Sequence, residues 1–383
     1  MGISAARNSC ISVFASLGLW AASGNAQGTD PTASAAGDSA PIASKAGEDS
    51  AWSIPGNEAI RKLLAERMER NGVGIVVGII EPEGQRIVVH GKSGAPDGRP
   101  LDGDTVFQIG SVTKVFTGLL LADMVQRGEV AIDDPAAKYL PAGVTMPQRG
   151  RPITLLDLSK HVSGLPAMPT NFSLLARPDP YRAYSAEQLY RFLSSHELGR
   201  EPGKQEYSNL GVALLGRLLA RHAGMEYEPF LQQRVLGPLG LASTSITLNA
   251  DQQRRLAPGH DRFLQPVDTW EMLAMPASGS LRSTANDLLK FVAFNLGVRE
   301  TPLYAAMTYQ RTPMRALGWG RSRLGGEEVY GHDGGKEGYR SAVVFNPRRR
   351  TGVVVLSNAR TDDRPMSLAL HLKVRKAARV GGL

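Results

Sequence analysis

Ser111 and Lys114 stand three residues apart in the run Phe107-Gln108-Ile109-Gly110-Ser111-Val112-Thr113-Lys114. The run reads as extended up to Gly110. A helix with Phe116, Leu119, Leu120 and Met124 on its apolar side then continues to Gly128. Three-residue spacing sets the serine hydroxyl and the lysine amine on one helix face. The helix start also offers free backbone N–H groups and the positive end of the helix dipole, which can stabilise an alkoxide and hold a carbonyl oxygen. A lysine whose surroundings make it a usable base can take part in proton transfer. Serine is also a favoured N-cap and Ser-x-x-Lys is a common tetrapeptide, so the motif gains meaning from its context.

Two further clusters supply that context. Tyr207-Ser208-Asn209 follows the loop Glu201-Pro202-Gly203 and precedes an apolar helix through Leu214, Leu215 and Leu218. A tyrosine at a loop–helix junction can point into a cleft and relay a proton, and Asn209 can hydrogen-bond a substrate amide. Plain packing and helix capping are the alternatives for this pair. His332-Asp333-Gly334-Gly335 falls in a strand pattern. Paired glycines there mark close approach by a ligand or another chain, and a substrate can lie along such an edge as an added strand. The backbone N–H of Gly335 can then join that of Ser111 as an oxyanion hole, each donor being worth about 10²–10³ in rate. A simple bulge or turn is the alternative.

The elements that must position these residues come from both chain ends. A helical pattern from Asn57 to Arg70 is followed by strand-like runs Val73–Ile80 and Arg86–His90, joined at Glu83-Gly84 as a hairpin. Near the other end, Val329–His332, Ser341–Phe345 and Gly352–Leu356 read as strands, with Asn346-Pro347 opening the turn between the last two. A closing helix is expected from Arg364 to Arg379. Between Lys114 and about Asn295 the pattern is mainly helical. Thr154 with Asp157 and Thr284 with Asp287 look like N-caps, and Gly128, Gly224 and Gly297 like C-caps. The fold class expected is α/β of the α+β type: one antiparallel sheet built from both ends (about 53–112 and 315–383), flanked by terminal helices, with an inserted helical part (about 113–314). A catalytic cleft is expected at their junction.

The chain has 383 residues, 42% of them hydrophobic, enough for a large core. No stretch reaches the roughly 18 consecutive apolar residues of a spanning helix, which excludes a multispan membrane protein. Arg7, the apolar run Cys10–Ala22 and the small residues Ser23-Gly24-Asn25-Ala26 describe a secretory signal peptide over 1–26, and residues 27–52 a disordered linker. The expected location is the periplasm, with no stable membrane anchor. Cutting there removes Cys10, the one cysteine. It leaves 43 basic against 36 acidic residues, a net charge of +7 instead of +8. A mature chain without cysteine excludes a thiol nucleophile, a disulfide and Cys-rich metal or cluster sites.

Other chemistries lack their motifs. There is no Gly-x-Ser-x-Gly elbow and no Gly-x-x-x-x-Gly-Lys loop, and Gly72-x-Gly74 lacks the third glycine of a dinucleotide site. The seven histidines form no His-Glu-x-x-His or helical pair, so no metal and no cofactor are expected. His161 and His222 fall in helical patterns and read as structural. No basic cluster interleaved with aromatics marks a nucleic-acid partner; Arg348-Arg349-Arg350 reads as a solvated hairpin tip.

In this order the three clusters resemble the serine β-lactamase and penicillin-binding protein superfamily, class C-like branch. Ser111-x-x-Lys114 is similar to its nucleophile motif, Tyr207-Ser208-Asn209 to its tyrosine motif, and His332-Asp333-Gly334 to the His-x-Gly variant of its third motif. Asp104–Gly110, Gly128–Leu140, Ser163-Gly164-Leu165-Pro166 and Gly237-Pro238-Leu239-Gly240-Leu241 are also like the family, so the resemblance spans about residues 57–375. It implies the β-lactamase/transpeptidase fold and an acyl-enzyme on Ser111. Lys114 and Tyr207 share the proton transfers, Asn209 orients the substrate, and His332, Asp333 and Gly334 line its path. One departure matters: typical class C enzymes carry Lys-Thr-Gly where His332-Asp333-Gly334 stands. Two like charges about 4 Å apart cost on the order of 4 kcal/mol at an effective dielectric near 20. If Asp333 faces the cleft it therefore weakens binding of a carboxylate-bearing β-lactam or D-Ala-D-Ala terminus, unless Lys336 or Arg340 compensates. Strand alternation can instead turn Asp333 away.

The function expected is a secreted serine hydrolase acting on a β-lactam or a peptidoglycan-type D,D-peptide. The alternatives are a class C-like carboxylesterase on small esters and a penicillin-binding sensor that is acylated without turnover.

Overall fold

The computed structural model describes residues 54–68, 74–173, 175, 179–312, 315–324, 326–360 and 368–369. The expected signal peptide and linker lie outside these residues. So does the closing helix, apart from Leu368 and Ala369, which are helical. In chain order the helices are α1 (Asn57–Met68), α2 (Thr113–Gln126), α3 (Leu155–Ser159), α4 (Ala186–Ser195), α5 (Asn209–His222), α6 (Tyr227–Leu231), α7 (Ala250–Arg255), α8 (Ala285–Asn295) and α9 (Tyr304–Gln310). The strands are β1 (Ile75–Glu81), β2 (Gly84–His90), β3 (Phe107–Gln108), β4 (Gly259–His260), β5 (Pro266–Val267), β6 (Arg282–Ser283), β7 (Gly320–Leu324), β8 (Glu327–Lys336), β9 (Tyr339–Asn346) and β10 (Thr351–Ser357).

Six strands form one antiparallel sheet in the order β2-β1-β10-β9-β8-β7. The two chain ends meet inside it, where β1 pairs with β10 from Ile75 opposite Ser357 to Ile80 opposite Gly352. Side chains alternate across the pleat. Val76, Ile80, Val343, Phe345, Val354 and Leu356 face the helical layer. Ile75, Val77, Ile79, Ala342, Val344, Val353 and Val355 pack instead with Ile60 and Leu64 of α1 and with Leu368 and Ala369. Each of the Val, Leu, Ile and Phe side chains among them contributes about 1.5–3 kcal/mol when fully buried. Helix α8 lies directly on β1: a Cβ at Gly78 would stand 3.0 Å from Leu289.

The inserted part, between β2 and β7, is a helical layer built on α2, α5 and α8, with local caps that the sequence marks. Thr154 and Thr284 accept the N–H groups of Asp157 and Asp287 at 3.2 and 3.1 Å. Gly128, Gly224 and Gly297 follow α2, α5 and α8 at φ of +72°, +68° and +68°. Two details differ from expectation. Strand β7 is an edge strand of partly exposed Gly-Arg-Ser-Arg-Leu, so it lacks an alternating apolar signal. Residues 91–112 add nothing to the large sheet; β3 pairs with β6 in a two-stranded ribbon that ties the segment leading to Ser111 to residues 282–283. As the strand pattern leads one to expect, β8 runs unbroken through His332-Asp333-Gly334-Gly335, without the bulge or turn that is the alternative.

Candidate active site

Ser111 sits in a 3-10 turn, Gly110–Val112, that leads into α2. The turn is pressed against β8, and two glycines make that possible. Gly110 has a φ of +48°, and a Cβ on it would stand 2.8 Å from the carbonyl oxygen and 3.0 Å from the amide nitrogen of Gly335. A Cβ on Gly334 would overlap the Ile109 carbonyl. Ser341 Oγ donates to that same carbonyl at 2.8 Å. On its other side Ile109 N–H donates to Leu281 O, and Leu281 N–H to Thr113 Oγ1. The Ser111 turn is thus clamped between β8–β9 and the 278–282 segment, with Gly110 pressed on Gly335.

Lys114 is fully buried in α2. Its Nζ donates to Ser111 Oγ at 3.0 Å, Asn209 Oδ1 at 2.8 Å and Ser278 O at 2.5 Å. Burial holds the amine well below the usual lysine range; the charge of Asp333 opposes this and that of Lys336 adds to it. Tyr207 Oη donates to Ser111 Oγ at 2.7 Å, and Lys114 Nζ lies 4.9 Å from its ring centre. Burial pushes the phenol up; the Ser111 hydrogen bond opposes that and Asp333 reinforces it. The arrangement therefore holds an amine shifted toward its neutral form and a protonated phenol on one serine hydroxyl, a base and an acid side by side.

The Tyr-Ser-Asn cluster is held by its middle residue. Ser208 caps α5, accepting Gly211 N–H at 2.9 Å and donating to Pro166 O at 2.6 Å. Tyr207 and Asn209 are thereby fixed on either side of the cap. Two partners escape the sequence pattern. His161 lies beyond α3 at φ +61°, not in a helix. It packs on Tyr207 with the rings tilted at 34° and their centres 4.5 Å apart, and accepts Ser208 N–H at Nδ1. Burial, with the charges of Lys114 and His332, pushes it down to about 3, so it is neutral. Ser278 acts through its carbonyl, for which no side-chain type is a signal.

The third cluster divides by face. His332, Gly334 and Lys336 pair with Val343, Ser341 and Tyr339 and share the helical-layer face. Asp333 pairs with Ala342, which packs on the α1 side. Register thus turns Asp333 away from the Ser111 face. It stays half-buried, and its charge still reaches Lys114 and Tyr207. His332 is buried, with Nδ1 2.6 Å from Asp333 O. Burial holds its ring down at about 4, so it carries no charge near neutrality. Among the described residues no group of three or more His, Cys, Asp or Glu is placed to hold a metal ion. Among them, too, no helix is long and apolar enough to cross a membrane.

A family model described as Beta-lactamase matches residues 60–376. Over 191 residues the chain is 34% identical to the D-alanyl-D-alanine-carboxypeptidase/endopeptidase AmpH of Escherichia coli (strain K12), a stretch covering 49% of this chain and 48% of that relative. It is 29% identical over 242 residues to a β-lactamase of the same strain, covering 63% of this chain and 61% of the relative. The chain thus spans about half the length of the first of these relatives and three-fifths of the second. Among solved structures, a class C β-lactamase from Rhodobacter sphaeroides aligns with a TM-score of 0.72 at 24% identity, over 83% of this chain and 97% of that one. A β-lactamase/D-alanine carboxypeptidase from Yersinia pestis aligns at 0.70 and 22%, over 83% and 99%. At these identities the structural likeness is one of fold.

Proposed function

This chain belongs to the β-lactamase family, and from that membership we propose that it is a serine hydrolase that forms an acyl-enzyme on Ser111 with β-lactams or D-Ala-D-Ala-type peptides. The observation that carries the reading is the triangle of Ser111 Oγ with Lys114 Nζ at 3.0 Å and Tyr207 Oη at 2.7 Å. Ser111 Oγ attacks the amide carbonyl carbon while Lys114 Nζ takes its proton. The backbone N–H groups of Ser111 and Gly335 hold the developing oxyanion. As the C–N bond breaks, Tyr207 gives its proton to the leaving nitrogen and recovers one from Lys114. Water then cleaves the ester and restores Ser111. Asn209 holds Lys114 and meets the substrate amide.

A second reading, a carboxylesterase, is favoured by one observation. His332 is neutral where the family's lysine would meet a substrate carboxylate. Turnover of a chromogenic cephalosporin and of p-nitrophenyl acetate separates the readings. Sustained turnover that Ser111→Ala abolishes supports the hydrolase. One equivalent of product followed by a plateau indicates a penicillin-binding sensor, and turnover that survives Ser111→Ala overturns the mechanism. We also propose that residues 1–26 direct export to the periplasm; a periplasmic product that begins at Gln27 is the expected N-terminal sequence, and an uncut cytoplasmic product overturns the proposal.

A further inference from the structure

One corner of the site holds cations with unused donors. Lys336 Nζ, Arg282 Nε and Ser280 Oγ are all buried without a hydrogen-bond partner. Arg282 spends one N–H on Ile246 O. Lys336 lies 5.4 Å from the ring centre of Tyr181. Burial and then the Arg282 charge hold its amine at about 7, against the pull of Asp179 and Glu271. Both carboxylates are already engaged. Asp179 accepts the N–H groups of Tyr181, Arg182 and Glu271, and Glu271 pairs with Arg182 at 2.6 Å. Among the described residues, two neighbouring cations with spare donors therefore lack a hydrogen-bonded anion of their own.

The corner lies on the acyl side. Along β8, His332 is at the end near His161, the residue packed on Tyr207, where the leaving group departs. Lys336 is at the other end, just past the oxyanion amide of Gly335, and its charge is felt at Lys114. Arg282 and Ser280, though not Lys336, also line a cavity of about 1030 Å³ with Met272, Trp270 and Arg217; of its carboxylates, Glu226, Glu228 and Glu271, the last two are engaged by Ile246 N–H and Arg182. Gly279 joins that rim to the nucleophile turn: a Cβ there would stand 3.4 Å from Met272 Sδ and 3.8 Å from the carbonyl carbon of Gly110.

We propose that this corner receives the acyl part of the substrate and selects acyl groups that carry a carboxylate, bound by Lys336 and Arg282 with Ser280 adding a hydrogen bond. The proposal rests on the acyl-enzyme reading of Ser111. A charged acceptor satisfies donors that are otherwise buried unmet, and it stabilises the Lys336 ammonium.

Carbenicillin and benzylpenicillin differ by one carboxylate on the acyl side chain, so their rates of Ser111 acylation isolate this contact. Intact-protein mass spectrometry reads the rate if the adduct persists, and loss of the penicillin reads it if the adduct turns over. The wild-type chain is expected to favour carbenicillin. Lys336→Met should lower the carbenicillin-to-benzylpenicillin ratio by about tenfold or more, and Lys336→Arg should keep most of it. Lys336→Met removes an unmet buried ammonium and should leave the fold intact. Equal slowing of both penicillins in Lys336→Met, or no wild-type preference for carbenicillin, overturns the acyl pocket while leaving the acyl-enzyme in place. Failure of both penicillins to acylate Ser111 overturns the acyl-enzyme reading, and this proposal with it.

Discussion

Replacing Gly110 by alanine adds one methyl group at the point where the nucleophile turn meets β8. Two costs follow from the geometry. An L-residue at φ +48° loses about 1–2 kcal/mol relative to a right-handed conformation. The new Cβ would stand 2.8 Å from the Gly335 carbonyl oxygen and 3.0 Å from its amide nitrogen, whereas ordinary contact begins near 3.4 Å. The turn and β8 must therefore separate by roughly half an ångström, a displacement comparable to the tolerance of a catalytic constellation. The proposed oxyanion donors, Ser111 N–H and Gly335 N–H, lie on the two sides of that gap. Effective loss of one donor predicts a fall in kcat of about 10²–10³ with the chain still folded. Gly128→Ala is the matched control. Its φ of +72° imposes a similar backbone cost, but nothing lies within 4 Å of the added Cβ. Thermal unfolding and steady-state turnover of both variants make the test. Gly128→Ala should lose about 1–2 kcal/mol of stability and Gly110→Ala at least as much, and only Gly110→Ala should lose activity. Wild-type turnover in Gly110→Ala refutes the assignment of Gly335 to the hole.

Three other outcomes are expected. Lys114→Met should lower kcat/KM by about 10²–10⁴, the usual weight of a general base, measured with any substrate that Ser111→Ala ceases to turn over. Asp333→Asn should move the acid limb of the kcat/KM profile to lower pH: the carboxylate raises the Lys114 pKa, so without it the amine stays neutral further into acid. A shift upward, or none, contradicts that coupling. Thr154→Ala should cost about 1 kcal/mol of stability in thermal unfolding, because it removes the side-chain bond to Asp157 N–H, and should leave turnover unchanged.

What the sequence shows and what it hides follow from the range of each signal. Caps are local, so Thr154, Thr284 and the three C-terminal glycines can be read from a few residues. Fully buried strands leave apolar runs, so β1, β9 and β10 stand out, whereas the half-exposed polar β7 does not. The Ser111–Lys114 contact is legible because three residues of helix enforce it. His161 is not. Its place beneath Tyr207 depends on a left-handed backbone turn and on packing across 46 positions of sequence. The direction of Asp333 needed the strand register, since a shift by one residue reverses every side chain.

One burial with two opposite consequences organises the site. Removing water disfavours whichever form carries charge, so it lowers an amine and raises a phenol in the same space. Lys114 and Tyr207 share a serine hydroxyl within 3.0 Å, and burial alone drives them toward base and acid. Asp333 acts on the two unequally. Its charge opposes burial at Lys114 and reinforces it at Tyr207. A carboxylate behind the strand therefore secures the proton on the tyrosine and keeps the lysine from becoming too weak a base. A neutral threonine at that position could do neither. The substitution that would repel an anionic substrate from the front of the strand acts, from the back, on the acid–base pair. Recognition of an anion is left to Lys336, four residues along from His332.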